Sequence, residues 1–152
     1  MHGAYRLQEV LVVHNDFVII DFESDPARPL AERRAKQSAL RDVAGLLWSL
    51  ALARHTALHL GAHTDAELAR REPLAARWLD GVRAAFLDAY AAAAVQAGLY
   101  PDADGFAAER PLLELFELGR ALHDLHDELA RRPDTALGAL AGLAALITPA
   151  AP

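Results

Sequence analysis

Two short segments near the start of the chain carry residue types that can hold a metal ion. The first covers residues 2–9, His-Gly-Ala-Tyr-Arg-Leu-Gln-Glu, and ends on the carboxylate of Glu9. The second covers residues 21–23, Asp-Phe-Glu, and begins with Asp21. Carboxylate oxygens are the ligands that magnesium prefers in proteins. Glu9 and Asp21 can therefore share one cation if the chain between them folds back on itself.

The segment that separates these residues has the pattern of a β-hairpin. Residues 10–13 (Val-Leu-Val-Val) and 17–20 (Phe-Val-Ile-Ile) are β-branched and aromatic runs, and residues 14–16 (His-Asn-Asp) have the composition of a turn. A hairpin is a stiff connection that returns its two ends to one place. The pattern therefore brings position 9 next to Asp21.

The remainder of the chain is typical of helices. A loop with two prolines covers residues 24–29, and apolar residues then recur at helical spacing. Pro73 is expected to break a helix or to begin one. The expected helical segments are residues 40–59, 65–98 (one or two helices), 111–132 and 136–147. The fold class is mainly α with one N-terminal β-hairpin (α+β).

This order of elements fits phosphoryl transfer. In kinase-fold enzymes a catalytic loop precedes a hairpin, and a metal-binding Asp follows the hairpin. One loop residue orients or deprotonates the attacking hydroxyl, and a residue five positions later helps to hold magnesium. The Asp after the hairpin holds the same metal against the nucleotide phosphates. Positions 4, 9 and 21 have that spacing here.

Longer stretches of the sequence resemble the maltokinase family. The similar stretches are His-Gly-x-Tyr-x-Leu-x-x-Val-Leu from residue 2, Val-Ile-Ile-Asp-Phe-Glu at 18–23, residues 26–45, and residues 115–146 with the landmark at 128–134. The resemblance implies the C-terminal lobe of an aminoglycoside-phosphotransferase-like kinase fold, often fused to trehalose synthase. It also implies transfer of phosphate from ATP to maltose, giving maltose 1-phosphate for trehalose and glycogen metabolism.

The catalytic positions of the family carry over only in part. His2 and Gly3 match the start of the family loop, whereas Ala4 stands where the family has its catalytic Asp. A methyl group cannot accept a proton or orient a hydroxyl. Arg6 replaces a family His and could contact a phosphate.

The metal positions carry over better. Glu9 replaces a metal-binding Gln and Asp21 matches the second metal ligand, so the resemblance implies Mg²⁺ and ATP as cofactors. Glu23 matches the neighbouring family acid, and Asp42 matches a residue that braces the catalytic loop from below. The candidate substrate-binding residues are Glu23, Arg28 and Arg33.

The resemblance also implies a missing part. The family's N-terminal lobe supplies a phosphate-covering loop and an ATP-binding lysine, but this sequence has no glycine-rich loop and its only lysine is Lys36. Residues 1–148 are thus expected to be a partial C-lobe, with a disordered tail at 149–152, inactive alone. Its expected partners are maltose, a kinase N-lobe or trehalose synthase, or a second copy through an exposed hairpin. The alternative is a non-catalytic module for sugar binding or synthase docking.

Composition excludes several other functions. The net charge is -6 with no concentrated basic surface, so no nucleic-acid partner is expected. There is no cysteine, which excludes thiolate catalysis and disulfides. The apolar run at 137–147 is too short to span a bilayer. The cytoplasm is the simplest compartment.

Histidines and aromatic residues leave other interpretations open. Three histidines at i, i+4 and i+8 could form a zinc or nickel site, although Gly61 is expected to end that helix before the third. An aromatic stripe favours the core over sugar stacking. Two late histidines favour a solvated or sugar-groove face. The three sets are His55, His59 and His63; Trp78, Phe86 and Tyr90; and His123 and His126.

Overall fold

A computed structural model describes residues 2–22, 31, 35–61, 64–131 and 136–147. A 3-10 turn (Leu7–Glu9) leads into two strands, and five α-helices follow within the described ranges. The strands are β1 (Val10–Val13) and β2 (Asp16–Ile19), and the helices are α1 (Leu40–His59), α2 (Asp65–Gln96), α3 (Ala103–Ala108), α4 (Arg110–Arg131) and α5 (Ala136–Ile147). The mainly helical class with one hairpin is confirmed. The expected tail at 149–152 lies outside the described residues.

The hairpin forms in the predicted place, with a two-residue turn. Strands β1 and β2 are antiparallel, with Val10 opposite Ile19 and Val13 opposite Asp16. His14 opens the turn in the left-handed region at φ 57°. The second strand begins one residue earlier than the apolar run at 17–20 suggests, because Asp16 pairs with Val13 and extends the ladder.

Helix α1 is the centre of the molecule. Every residue from 43 to 50 is buried, because α2, α4 and α5 all pack against this helix. One core cluster joins α1 to Leu113 of α4 and to aromatic residues of α2. A second cluster joins Trp48 to Ala121 of α4 and Ala139 of α5. A helix that is apolar on all sides belongs at the centre of a bundle, and α1 lies there.

Helix α2 runs through Pro73 without a break, so the break expected at that position is wrong. Proline removes one backbone donor from the helix. The N-terminal part of α2 is held by other bonds: Glu72 pairs with Arg54 of α1, and Arg71 Nη1 donates to the Leu60 carbonyl at 2.9 Å. Thr64 caps the helix by accepting a hydrogen bond from the Glu67 N–H. These ties keep the turns on both sides of Pro73 in one helix.

The aromatic stripe on α2 is only partly in the core. Phe86 and Tyr90 pack against the first core cluster, but Trp78 remains 47% exposed, so the core assignment of Trp78 is wrong. Residues four apart on a helix of 3.6 residues per turn advance by about 40° around the axis. Over three such steps the stripe winds by about 120°, which carries Trp78 out of the interface.

None of the helices in the described ranges is long and apolar enough to cross a membrane.

A buried ion pair joins α2 to α4. Arg83 binds Glu117 through two hydrogen bonds of 2.7 and 2.9 Å, and the Glu117 side chain is 4% exposed. Replacing Arg83 with Ala would leave a buried carboxylate without its partner. We expect Arg83→Ala to lower the free energy of unfolding by about 3–5 kcal/mol in urea titrations. The control Arg77→Ala, at an exposed position of the same helix, should change it by less than about 0.5 kcal/mol. Equal effects of the two substitutions would contradict the role of the pair.

Candidate functional site

The loop at residues 2–9 is held against α1 by the half-buried carboxylate of Asp42. Asp42, in the first turn of α1, accepts the His2 N–H through Oδ2 at 2.6 Å and the Gly3 N–H through Oδ1 at 2.8 Å. Hydrogen bonds to an ionised acceptor are about twice as strong as neutral ones. The brace expected of Asp42 is confirmed by these two bonds.

Two more residues on the same face of α1 fit the loop closely. A Cβ atom at Gly45 would lie 2.5 Å from the Tyr5 carbonyl oxygen, so only glycine allows this approach. Ser49 Oγ accepts the Leu7 N–H at 3.1 Å and donates to the Leu46 carbonyl at 2.7 Å. Sequence reasoning gave no role to Gly45 or Ser49. Their i+3 and i+7 spacing from Asp42 was the signal that could have found them.

His2 ties the loop to the end of the hairpin. Its ring is 8% exposed and lies between the rings of Tyr5 and Phe22, at centroid distances of 5.7 and 4.8 Å. Nε2 lies 2.8 Å from the Ile20 carbonyl and Nδ1 accepts the Ala4 N–H at 3.3 Å. Both nitrogens are used if Nε2 carries the proton, a tautomer assigned from this network. In this geometry His2 positions the loop.

Arg6 is directed toward a buried carboxylate on α4. Its Nη2 lies 3.8 Å from Asp124 Oδ1. Asp124 is 9% exposed, accepts the Trp48 Nε1–H at 2.7 Å and pairs with Arg120. Asp124 therefore connects the loop, α1 and α4 in one polar network.

The hairpin returns the two candidate metal ligands to one end. The Ile20 N–H donates to the Glu9 carbonyl at 2.9 Å, which places Asp21 one residue beyond this contact. Glu9 is half-buried, whereas Asp21 is exposed and has a φ of 59°, a left-handed conformation that Asp tolerates better than most residues. Over the described ranges, no three His, Asp or Glu side chains form a metal-binding group. Magnesium usually takes one or two carboxylates and completes its shell with water and phosphate, so this donor pair fits it.

Several predicted site residues lie outside the described part of the chain: Glu23, Arg28, Arg33 and His63. The two described members of the histidine series lie together, with ring centroids 4.2 Å apart. His59 Nδ1 lies 2.9 Å from the His55 carbonyl, and a Cβ at Gly138 of α5 would lie 3.0 Å from the His55 ring. His55 therefore packs between α1 and α5.

A cavity of about 170 Å³ lies between the loop, α1 and α4. Helix α4 contributes residues at i, i+3, i+4 and i+7, which lie on one helical face. The lining consists of Gly3, Ala4, Tyr5, Arg41, Gly45, Phe116, Gly119, Arg120 and His123. Sequence reasoning placed Ala4 at the catalytic position and His123 on a solvated or sugar-groove face, but it missed Arg41, Phe116 and Arg120. Phe116 and Arg120 share one face of α4, and this spacing was the signal that could have found them. Arg41 lies on α1 and had no such signal.

The cavity as it stands has no group suited to general-base catalysis at position 4. Ala4 presents a methyl group, so it can neither accept a proton nor hold a hydroxyl. Burial, and then the negative charge of Asp42, raise the pKa of Tyr5, so its phenol stays protonated at neutral pH. The remaining polar side chains of the described lining are two arginines, which only donate, and His123, whose neutral ring both donates and accepts.

Sequence comparison finds a relative that is named glucosamine kinase. A scan against family models gives no match. The chain is 29% identical over 91 residues to "Glucosamine kinase" of Streptacidiphilus jiangxiensis, an alignment that covers 59% of this chain and 19% of the relative.

Comparison with solved structures finds the same type of protein. A glucosamine kinase structure, crystal form B, aligns with a TM-score of 0.76 at 20% identity, covering 97% of this chain and 33% of that one. Glucosamine kinase in complex with glucosamine, ADP and inorganic phosphate aligns with a TM-score of 0.75 at 20% identity, covering 97% of this chain and 32% of that one. The chain therefore spans about a third of the length of these structures and shares the fold of that third, a part of a sugar kinase.

The close contact at Gly45 predicts that a single methyl group displaces the loop. In Gly45→Ala the added carbon would meet the Tyr5 carbonyl at 2.5 Å, so the loop must lift from α1. We expect faster hydrogen exchange of the amides at 3–7, measured by mass spectrometry, and a lower melting temperature. The control Gly81→Ala on α2 has open space around its new carbon and should stabilise the protein by about 0.5–1 kcal/mol. Unchanged exchange in Gly45→Ala would contradict the close packing.

His55 predicts a pH dependence of stability. Burial, and then the positive charges of His59 and Arg54, lower the pKa of His55. Because the unfolded chain, with a pKa of about 6.5, then binds the proton more readily, the stability from neutral His55 is present above about pH 6.5 and is lost as the pH falls. In urea titrations from about pH 8 to about pH 5, the free energy of unfolding should fall less steeply in His55→Gln than in the parent. The control His126→Gln, at an exposed position of α4, should keep the parent profile. A parent profile in His55→Gln would contradict the assignment.

Proposed function

We propose that residues 1–148 are the C-terminal lobe of an ATP-dependent sugar phosphotransferase with an aminoglycoside-phosphotransferase-like fold. The observation that carries the proposal is the arrangement of the loop at 2–9. Asp42 holds its first residues beside a cavity, and its last residue, Glu9, meets the end of the hairpin before Asp21. An acceptor cavity and a metal end joined by one short loop are what phosphoryl transfer requires.

Each residue would have a distinct role in that reaction. Glu9 and Asp21 would hold Mg²⁺, which, when bound, neutralises the charge of the ATP phosphates. Position 4 would face the acceptor hydroxyl, where Ala4 provides no base. Arg6 would stand between the loop and Asp124, within reach of a phosphate. Glu23, Arg28 and Arg33 would contact the substrate. A kinase that uses ATP would work in the cytoplasm.

The size of the cavity bears on the acceptor. Pockets for drug-sized molecules measure about 300–1,000 Å³. A cavity of about 170 Å³ suits a single sugar ring, so we place one ring of the acceptor there. The sequence resemblance favours maltose, with its reducing ring in the cavity and maltose 1-phosphate as the product. The relatives are named for glucosamine, and this is the competing acceptor.

The hairpin surface supports a missing partner. Val12, Phe17 and Phe22 are 72%, 68% and 67% exposed, and an isolated two-stranded hairpin is marginally stable. Large exposed apolar patches mark interaction sites. Because the related kinase structures are about three times longer than the aligned part, we propose that a kinase N-lobe covers this surface. A second copy of the chain or trehalose synthase would be the other occupants.

A non-catalytic role is the second candidate, and the methyl group at position 4 favours it. With the methyl group of Ala4 in the cavity wall, the lobe would bind a sugar or a synthase without transferring phosphate. The two candidates differ in whether an acid at position 4 creates activity.

The test restores the acid and supplies the missing lobe. We expect Ala4→Asp, mixed with the N-lobe of a glucosamine kinase, ATP and Mg²⁺, to phosphorylate maltose or glucosamine about 10²–10⁴-fold faster than the parent chain. The product is measured by mass spectrometry.

Two matched variants control this experiment. Ala4→Asn has the same shape without the base and should remain near the parent rate. Asp21→Asn in the Ala4→Asp background should lose the metal dependence. If the complex forms and no sugar is phosphorylated, the transferase proposal is wrong. A pull-down that recovers the synthase but not the N-lobe would then favour the docking module.

A further inference from the structure

The polar side chains of the cavity beside Ala4 offer more hydrogen-bond donors than acceptors. Its polar side chains are Tyr5, Arg41, Arg120 and His123, and the described lining includes no carboxylate. Guanidinium groups only donate. A neutral sugar needs acceptors for its hydroxyl protons, and a phosphotransferase needs one above all at the reacting hydroxyl. Among the described side chains of the lining, only the Tyr5 hydroxyl and a neutral His123 ring can accept a hydrogen bond, whereas both arginines only donate.

The carboxylates around the cavity are already engaged. Both oxygens of Asp42 accept backbone N–H groups of the loop. Asp124 accepts from Trp48 and from Arg120, and Arg6 approaches the same carboxylate at 3.8 Å. One acid is therefore shared by two guanidinium groups, which leaves donor capacity on this side of the cavity.

Arg120 is a lining residue with such capacity. Its side chain is 12% exposed and lines the cavity, and its Nη2 pairs with Asp124. A guanidinium carries several N–H donors, so an anionic oxygen in the cavity can accept from those that Asp124 does not use.

We propose that the cavity binds a phosphorylated monosaccharide, with the phosphate directed to Arg41 and Arg120 and the ring against Phe116. Ala4 supports this proposal because its methyl group carries no charge. A carboxylate at position 4 would repel the phosphate. The small volume suits one ring with its phosphate. The proposal rests on the proposed function only in taking a sugar ring as the body of the ligand. The lobe would then bind sugar phosphates, the class of molecule that a sugar kinase produces, rather than the free sugar that accepts the phosphate.

Calorimetric titrations of the whole chain test this with matched ligands. The probes are glucose, glucose 6-phosphate, glucose 1-phosphate and inorganic phosphate. We expect at least one sugar phosphate to bind tenfold or more tightly than both glucose and inorganic phosphate. Glucose binding as tightly as its phosphates would overturn the proposal, as would no binding by a chain that circular dichroism shows to be folded. Inorganic phosphate binding as tightly as the sugar phosphates would leave only an anion site and would overturn the sugar part.

Variants at the cavity separate the anion site from the rest. Arg41→Gln, at a half-buried position in the first turn of α1, should weaken sugar-phosphate binding tenfold or more. Ala4→Asp should weaken it similarly and improve glucose binding, whereas Ala4→Asn should keep the parent preference. Equal binding by Ala4→Asp and Ala4→Asn would contradict the charge argument. Because these titrations contain no ATP and no N-lobe, their failure leaves the transfer test untouched, and failure of transfer leaves the titrations untouched.

Discussion

The site depends on the two hydrogen bonds that the Asp42 carboxylate accepts from successive backbone N–H groups. These bonds fix where residues 2 and 3 lie against α1, and the later contacts of the loop follow from that position. Tyr5 can then approach the backbone at Gly45, and Leu7 can reach Ser49. The three residues of α1 share one face, so a single helix orientation satisfies all of them. Residues 3–5 of the same loop form one wall of the cavity.

This dependence joins the site to the core. Residues 43–50 of the helix that carries Asp42 are all buried, so the position of the helix is set by α2, α4 and α5. Trp48 contributes most to this, because its indole donates to Asp124 of α4 and lies so close to α5 that a Cβ at Gly142 would be 2.7 Å from its ring. A substitution that shifts Trp48 would also shift the cavity through Asp124 and Arg120. Stability and ligand binding are thus properties of one network.

Local patterns predicted most of the fold and one part of the site. The hairpin follows from two β-branched and aromatic runs around a turn, the bounds of α1 follow from helical spacing, and the Asp42 brace follows from the resemblance. Pro73 and Trp78 were misjudged because contacts from α1 and the winding of α2 decide their surroundings. The cavity could not be read from sequence, since it exists only where a face of α4 meets the loop. Arg120 shows this, because nothing near it in sequence indicates Ala4 as its neighbour.

The absence of a buried face on the hairpin has a consequence for cation affinity. Apart from half-buried Val10, the residues of both strands are exposed on both sides, so little tertiary packing resists opening of the ladder. Glu9 and Asp21 depend on that ladder for their proximity. Any molecule that covers the strands would suppress their opening and so strengthen a cation held at their base. By thermodynamic reciprocity, the cation would strengthen attachment of that molecule by the same factor. A molecule on the strands and a cation at their base would then bind cooperatively without touching each other.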